Sequence, residues 1–305
     1  MKVQGPSIKG LLLLRKAPGL TSFDSLNIIK KALSTGKVGH TGTLDKFASG
    51  LLLVLIGQAG KLCPWFSSCD KEYSGLIRFG IETDTLDPEG KIIAEAEIPS
   101  RKTVEEVLPG FRGNILQAPP AYSAIHVGGK RAHELSRQGR APEMEKRPVT
   151  IKELELVSWD PPFAGIRVCC TAGTYIRSLA RDIALAAGSR AHLSNLVRNR
   201  IGGFHLSQAF DPEMSICGVA EAIKPIDPEV FNALGLPYVY ASQEQIQKII
   251  HGQSLNELVC NGLVKDLATA PTVGVFGREK GKETLVAVLE QKNGKWSYGH
   301  VFADY

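Results

Sequence analysis

Two unbroken apolar runs constrain this chain more than any other feature: LLLL at 11–14 and LLLVLI at 51–56. Neither approaches the ~20 residues a helix needs to cross a bilayer. Neither alternates with polar residues, so neither suits a strand with one wet face. Each reads as a strand buried within a sheet, GLLLLR over 10–15 and SGLLLVLIG over 49–57. Such strands need cover on both faces, and 305 residues at 43% hydrophobic can supply it.

Short strands alternate with single helices along the first two-thirds, which predicts a mixed α+β architecture rather than a doubly wound sheet. TSFDSLNIIKKAL reads as a helix capped by Thr21 or Ser22, with Phe23, Leu26, Ile29 and Leu33 at helical spacing. KEYSGLIRFG (71–80) alternates as a half-buried strand, and DPEG (87–90) is a turn. Thr103 and Glu106 form a capping-box pair before a short helix. Gly128 and Gly139 enclose another helix, and RPVTIKELEL and GIRVCCTA are strands. GTYIRSLARDIALAAG (173–188) is the clearest helix, with Thr174 as its cap and Gly188 as its stop.

Near residue 210 the texture changes. Pro212, Pro225, Pro228 and Pro237 punctuate a connecting stretch. A helix at 242–251, a strand at 272–276 and a hairpin at Asn293-Gly294 follow. The expected division is a body over 1–210, a connecting region to about 235, and a small β-rich module over 236–305.

The formal charge of +5 says little until it is divided. Residues 1–209 hold 28 of the 36 Lys+Arg and 19 of the 31 Asp+Glu, a balance of +9, against −4 for the remainder. Residues 1–23 carry Lys2, Lys9, Arg15 and Lys16 with no acid. Residues 183–210 carry Arg190, His192, Arg198, Arg200 and His205, again with no acid. A polyanion facing the first two-thirds would explain this; a solvated basic face has the same composition.

Several function classes drop out. No apolar h-region marks a signal peptide at the N-terminus. Cys63, Cys69, Cys169, Cys170, Cys217 and Cys260 form no C-x-x-C pair and no zinc set, so they read as reduced thiols of a cytosolic protein. GQAGKL and VGGKRA lack the rest of a phosphate-binding loop, and neither G-x-G-x-x-G nor G-x-S-x-G occurs.

What remains is GHTGTLDKFASG at 39–50, a glycine- and hydroxyl-rich loop of the kind that brings backbone close to a ligand. Asp45 is the only acid between residues 25 and 69. A loop aspartate closes turns as readily as it does chemistry, and His40 could equally be structural. In GTYIRSLARD, Tyr175, Leu179 and Asp182 share a helix face while Arg177 points elsewhere. A cation near a helix start is slightly unfavourable unless a carboxylate or an anionic ligand meets it. Tyr73 sits mid-strand, where packing accounts for most tyrosines. AHLSNLVRNRIGGF sets Arg198 and Arg200 after the anchors Leu193 and Leu196, as phosphate contacts need; a solvated helix end would look the same.

Taken together and in order, KAPGLTSFD, GHTGTLD, DKEYSG, TDT-x-D-x-x-G, FRGNI-x-Q-x-PPAYSA, RAHELSRQG, RPVTI, GTYIRSLA-x-D and AHLSNLVRNRIG resemble the TruB family of pseudouridine synthases over about residues 10–205. The resemblance implies a catalytic domain around a mixed, largely antiparallel sheet. The C-terminal module is loosely similar to the family's small PUA-type RNA-binding domain. The implied activity converts uridine 55 in the T-arm loop of transfer RNA to pseudouridine. Asp45 stands at the catalytic aspartate, Arg177 at its partner and His40 at a substrate-contacting position. Tyr73 stands at the aromatic that stacks on the target base, with Tyr175 and Leu196 around it. Departures are Arg15-Lys16-Ala17 where the family usually has Asp-Lys-Pro, and Lys46-Phe47 where it has Pro-Leu. Leu196-Val197-Arg198-Asn199 likewise replaces Leu-Arg-Arg-Thr.

The implied chemistry explains the missing motifs. The bond from the sugar's anomeric carbon to the base nitrogen breaks, the base turns, and it rejoins through carbon-5. No redox, metal or phosphate energy is needed, so no cofactor and no metal is expected. One ionised carboxylate suffices, as nucleophile or as base. Extruding the target costs a few kcal/mol, and stacking on an aromatic returns ~1–3 kcal/mol. The expected partner is the T-arm stem-loop of transfer RNA, met by a cytoplasmic monomer with no membrane and no guide RNA. Two other readings compete: an RNA-folding chaperone, and a guide-RNA-dependent synthase core. The short C-terminal module and the lack of long charged extensions argue against the latter.

Overall fold

A computed structural model describes residues 9–302 apart from 124, 128, 141, 213–217, 256–262, 264–269 and 280. Lys2, Gly128, Cys217 and Cys260 lie outside the described residues. The first apolar run is β1 (Gly10–Lys16), followed by α1 (Ser22–Ala32), β2 (Val38–His40) and the second run, β3 (Ser49–Ile56). β1 and β3 pair antiparallel, with Leu11 opposite Leu55 and Leu14 opposite Leu52. Every residue of LLLL and LLLVLI is 2% exposed or less. The reason lies in the two-residue period of a strand. Leu11, Leu13, Leu51, Leu53 and Leu55 face one cluster with Phe66, Phe204 and Phe231. Leu12, Leu14, Leu52, Val54 and Ile56 face the other, with Leu26 and Ile29 of α1.

The body continues through α2 (Cys63–Ser68), β4 (Lys71–Phe79), β5 (Ile81–Thr83), β6 (Ile92–Glu95) and α3 (Arg101–Val107). β7 (Gly113–Gln117), β8 (His126–Val127), β9 (Lys130–Arg131) and α4 (Ala132–Arg137) come next. The long hairpin of β10 (Arg147–Asp160) and β11 (Phe163–Cys170) follows, then α5 (Ile176–Ala186), β12 (Ala191–Ile201) and β13 (Phe204–His205). The sheet runs β1-β3-β12-β4-β11-β10-β7, with β2 beside β3 and β13 beside β12. Within it only β3 and β12 run parallel; the other pairs are antiparallel. The mixed, largely antiparallel α+β sheet expected from the motifs is the fold observed.

α5 lays Ile176, Leu179, Ala180, Ile183 and Ala184 against Ile77, Phe79 and Leu193 of the sheet. Each large aliphatic side chain taken from water there contributes about 1.5–3 kcal/mol.

Some local expectations are corrected. Phe23 is 61% exposed, because the buried stripe of α1 is Ser22, Ser25, Leu26 and Ile29; its ring lies 4.8 Å from Lys30 Nζ instead. α3 is capped by Ser100, whose Oγ accepts from the Thr103 N–H, which puts Thr103 inside the helix. The Thr174 hydroxyl donates to the Thr171 carbonyl, and the N-cap of α5 is Tyr175. AHLSNLVRNRI is a central strand and not a helix end.

A second sheet follows α6 (Pro228–Leu234): β14 (Tyr238–Tyr240), then, after α7 (Gln243–Ile250), β15 (Thr272–Glu279), β16 (Lys282–Lys292) and β17 (Lys295–Val301), in that order across the sheet. Asn293 and Gly294 both adopt positive φ at the β16–β17 turn, as a two-residue hairpin requires. This sheet shares a core with the body, since Phe276, Leu285 and Val288 pack in the cluster of Leu11, Leu53 and Phe231. Gly274 makes the approach possible: a Cβ there would stand 2.4 Å from Phe231 Cε1.

Candidate active site

The 39–50 loop joins β2 to β3, and its backbone is held from below at several points. Ser22, at the start of α1, accepts from the Leu44 N–H at 2.9 Å and donates to the Leu44 carbonyl at 3.1 Å. Lys16, at the end of β1, is 1% exposed and donates to the carbonyls of Ala17, Lys46 and Ala48 at 3.0, 3.3 and 2.6 Å. Arg198 of β12, also 1% exposed, donates to those of Gly42, Thr43 and Leu51 at 3.0, 3.3 and 2.8 Å. Two buried cations therefore turn the loop's carbonyls downward on either side of Asp45. Its own side chain stays 34% exposed.

Arg177 meets that carboxylate. It projects from the first turn of α5 and is almost fully buried. Nε donates to Asp45 Oδ2 at 2.8 Å and Nη2 to Oδ1 at 2.9 Å, a bidentate fork that fixes the plane of the carboxylate. Nη1 donates to the Thr85 carbonyl at 2.8 Å and to Asp87 Oδ2 at 3.4 Å, while Nη2 also reaches the Tyr122 carbonyl at 3.2 Å. Every edge of the guanidinium is engaged. The cation near a helix start thus has its compensating carboxylate.

Asp87 stood in the sequence as part of a turn and of the TDT-x-D-x-x-G motif, with no role attached. Its carboxylate accepts from Thr85 Oγ1 at 2.6 Å and the Glu89 N–H at 3.1 Å besides Arg177. Burial pushes its pKa up, opposed by the Thr85 bond and the Arg177 charge. The preceding Leu86 holds φ at 60°, an uncommon conformation for leucine that locks the turn.

Tyr73 and Leu196 form an apolar wall. Tyr73 of β4 stands opposite Arg198 in the ladder, and Leu196, two residues before Arg198, lies on the same sheet face. Both are buried in one cluster with Leu44 and Ile176. Burial raises the pKa of the Tyr73 phenol, offset in part by the Arg198 guanidinium beside it. Tyr175 is half-buried and pinned through its backbone. Its N–H donates to Gln117 Oε1 at 2.8 Å and its carbonyl accepts from Gln117 Nε2 at 3.1 Å. His40 ends β2 at the loop's entrance, with Nδ1 buried and unpartnered among the described residues. Burial, then the Arg198 charge, lower its pKa, which favours the neutral imidazole.

The fold thus brings Asp45, Arg177, Tyr73, Leu196 and Tyr175 to one region, with His40 on the approach to the loop. The arginines of the basic stretch do not stand in one free row. Arg198 is sealed, Arg200 lies 3.4 Å from Glu72, and Arg190 lies 3.0 Å from Glu82. The local sequence could not show this, because the acids that meet Arg190 and Arg200 and the carbonyls that meet Arg198 lie elsewhere in the chain.

Residues 30–176 match the model of the TruB family pseudouridylate synthase N-terminal domain. A tRNA pseudouridine synthase B of Borrelia garinii subsp. bavariensis is 46% identical over 242 residues, covering 78% of this chain and 84% of the relative. That of Caldanaerobacter subterraneus subsp. tengcongensis is 39% identical over 264 residues, covering 85% and 91%. A chain in the crystal structure of a Cbf5-Nop10-Gar1 complex superposes with a TM-score of 0.68 at 26% identity, over 92% of this chain and 78% of that one. Identity at the level of the two synthases, over more than three-quarters of the chain, leads to one assignment: the chain belongs to the TruB family of pseudouridylate synthases.

Proposed function

We propose that the chain converts uridine 55 in the T-arm loop of transfer RNA to pseudouridine, with Asp45 as the one catalytic carboxylate and the target base flipped out of its stack. The observation that carries this reading is the Asp45–Arg177 fork. It presents a directed anion at the surface of an otherwise apolar, buried wall. Relatives named tRNA pseudouridine synthase B support the substrate class.

In this reading the extruded uracil stacks on Tyr73, and Leu196 and Tyr175 close around it. Asp45 acts at the sugar or the base as the glycosidic bond breaks, and the wall keeps the freed uracil from leaving before it rejoins through carbon-5. The hydrogen at carbon-5 departs as a proton and the freed base nitrogen takes one up, so atoms and electrons balance without a co-reactant. Residues 1–210 carry the catalysis, a connecting region runs to about 235, and 236–305 form a PUA-like RNA-binding module. The enzyme acts as a cytoplasmic monomer with neither cofactor nor guide RNA.

The test is incubation of the chain alone with an unmodified tRNA transcript, followed by mapping of pseudouridine. Product at the T-loop uridine is expected from the wild type. None is expected from Asp45→Asn, whose RNA affinity should stay within about threefold because the swap is isosteric and removes no RNA-facing cation. Turnover by Asp45→Asn would overturn the role of that residue; a requirement for a second RNA would overturn guide independence.

A further inference from the structure

Arg198 is the largest side chain the described fold buries completely, yet it forms no ion pair among the described residues. Arg177, Arg190 and Arg200 each face a carboxylate. Taking an unpaired guanidinium out of water is costly, and apolar residues of similar volume commonly serve stability as well or better. Its burial also keeps it from any phosphate. Its bonds show where the charge is used: the Gly42, Thr43 and Leu51 carbonyls, on both flanks of Asp45.

Its place in the sheet adds the second half. β12 lies between β3 and β4, so Arg198 registers with Gly50 on one side and Tyr73 on the other. The contact with Gly50 is intimate: a Cβ there would stand 2.5 Å from both the nitrogen and the oxygen of the Arg198 backbone. One residue therefore touches the loop that presents the carboxylate and the strand that presents the ring.

We propose that Arg198 is a positioning residue that sets the separation between the Asp45 carboxylate and the Tyr73 ring, and so acts on the rate of isomerisation and not on RNA binding. The proposal rests on the roles given above to Asp45 and Tyr73. It also replaces the phosphate contact that the run of arginines suggested.

The experiment uses the full chain and tRNA tritiated at carbon-5 of uridine. Isomerisation at any uridine releases that hydrogen, so turnover is read without presuming the site. For Arg198→Met, the single-turnover rate is expected to fall roughly 100-fold, the scale of a misplacement of about 1 Å. RNA Kd and its salt dependence should stay within about threefold of wild type, since Arg198 neutralises no phosphate. Arg198→Lys should recover part of the rate, as an ammonium reaches some of the three carbonyls. Combined with Tyr73→Phe, the loss should be smaller than the product of the single losses, as for residues acting in one unit.

A weakened Kd with an unchanged rate at saturation would overturn the proposal in favour of an RNA contact. A lowered melting temperature with an unchanged rate per folded molecule would overturn it in favour of a purely structural role. Should Arg198→Met fail to fold, Arg198→Lys carries the same readouts. Tritium release without product at the T loop would overturn only the uridine assignment. Absence of release from the wild type would overturn the reading of the site, and this inference with it.

Discussion

Lys16 must carry its proton to hold three carbonyls of the Asp45 loop, and burial makes that proton easier to lose. Its pKa is lowered to about 8, chiefly by desolvation and then by Arg198, with Asp45, Asp24 and Glu89 opposing. An unfolded lysine keeps its proton to about 10.5. Between these values the unfolded chain binds more protons than the folded one, so this group's contribution to stability rises with pH. Activity should do the opposite. We expect the rate to fall above pH about 8 as Lys16 loses its charge and the third of its N–H donors, with no matching loss of melting temperature from this group. In Lys16→Arg, charged throughout, the alkaline limb should move upward; a limb that stays in place would assign it to another group. Asp45 and Arg177 were legible as a pair only through the motif set, because 132 residues separate them and neither neighbourhood demands the other. Asp87 was not legible as part of the site. DPEG is good turn chemistry whatever its carboxylate faces, and the guanidinium it faces is 90 residues away.

Among the elements, the ones read correctly have burial patterns that are local. The two leucine runs, α5 and the Asn293-Gly294 hairpin each announce themselves within about a dozen residues. β12 did not. It is bulged between Leu193 and Asn195 and again between Arg198 and Arg200, and each bulge breaks the alternation by which a strand is recognised. The first bulge is also what lets Leu193 share the inward face of Leu196 and Arg198, which alternate regularly. The contact between β3 and β12 depends on Gly50, held at φ 114° with no room for a side chain. Gly50→Ala should cost at least about 1–3 kcal/mol from the backbone conformation alone. The clash with Arg198 should add to this, and thermal melts and tritium release should both decline. A variant that melts like the wild type would show that this junction yields more easily than its geometry implies.

At the scale of the whole molecule, the C-terminal sheet is more than an attachment. Phe231 and Phe276 meet edge-to-face with centroids 5.2 Å apart, in a cluster that reaches β1 and β3. Gly274→Ala would push a methyl into Phe231, at a cost of ~1–3 kcal/mol typical of overpacking. Because the cluster is shared, the whole chain should melt earlier in a single transition. A two-step melt with only its second sheet destabilised would show two independent units. Composition hinted at this organisation through opposite charges on the two parts; the shared apolar seam between them could not be read from charge.

The span of 132 residues between the two partners of the fork has a temporal side. On the ribosome, the loop bearing Asp45 emerges long before α5 and β12 exist to hold it. Until residue 177 is out of the exit tunnel the aspartate lacks the guanidinium that aims it, and until residue 198 is out it lacks the clamp beneath its loop. On the role proposed for Asp45, a nascent chain carries the carboxylate without a catalyst, and competence arrives late in synthesis. Unfinished molecules are inert by construction of the fold.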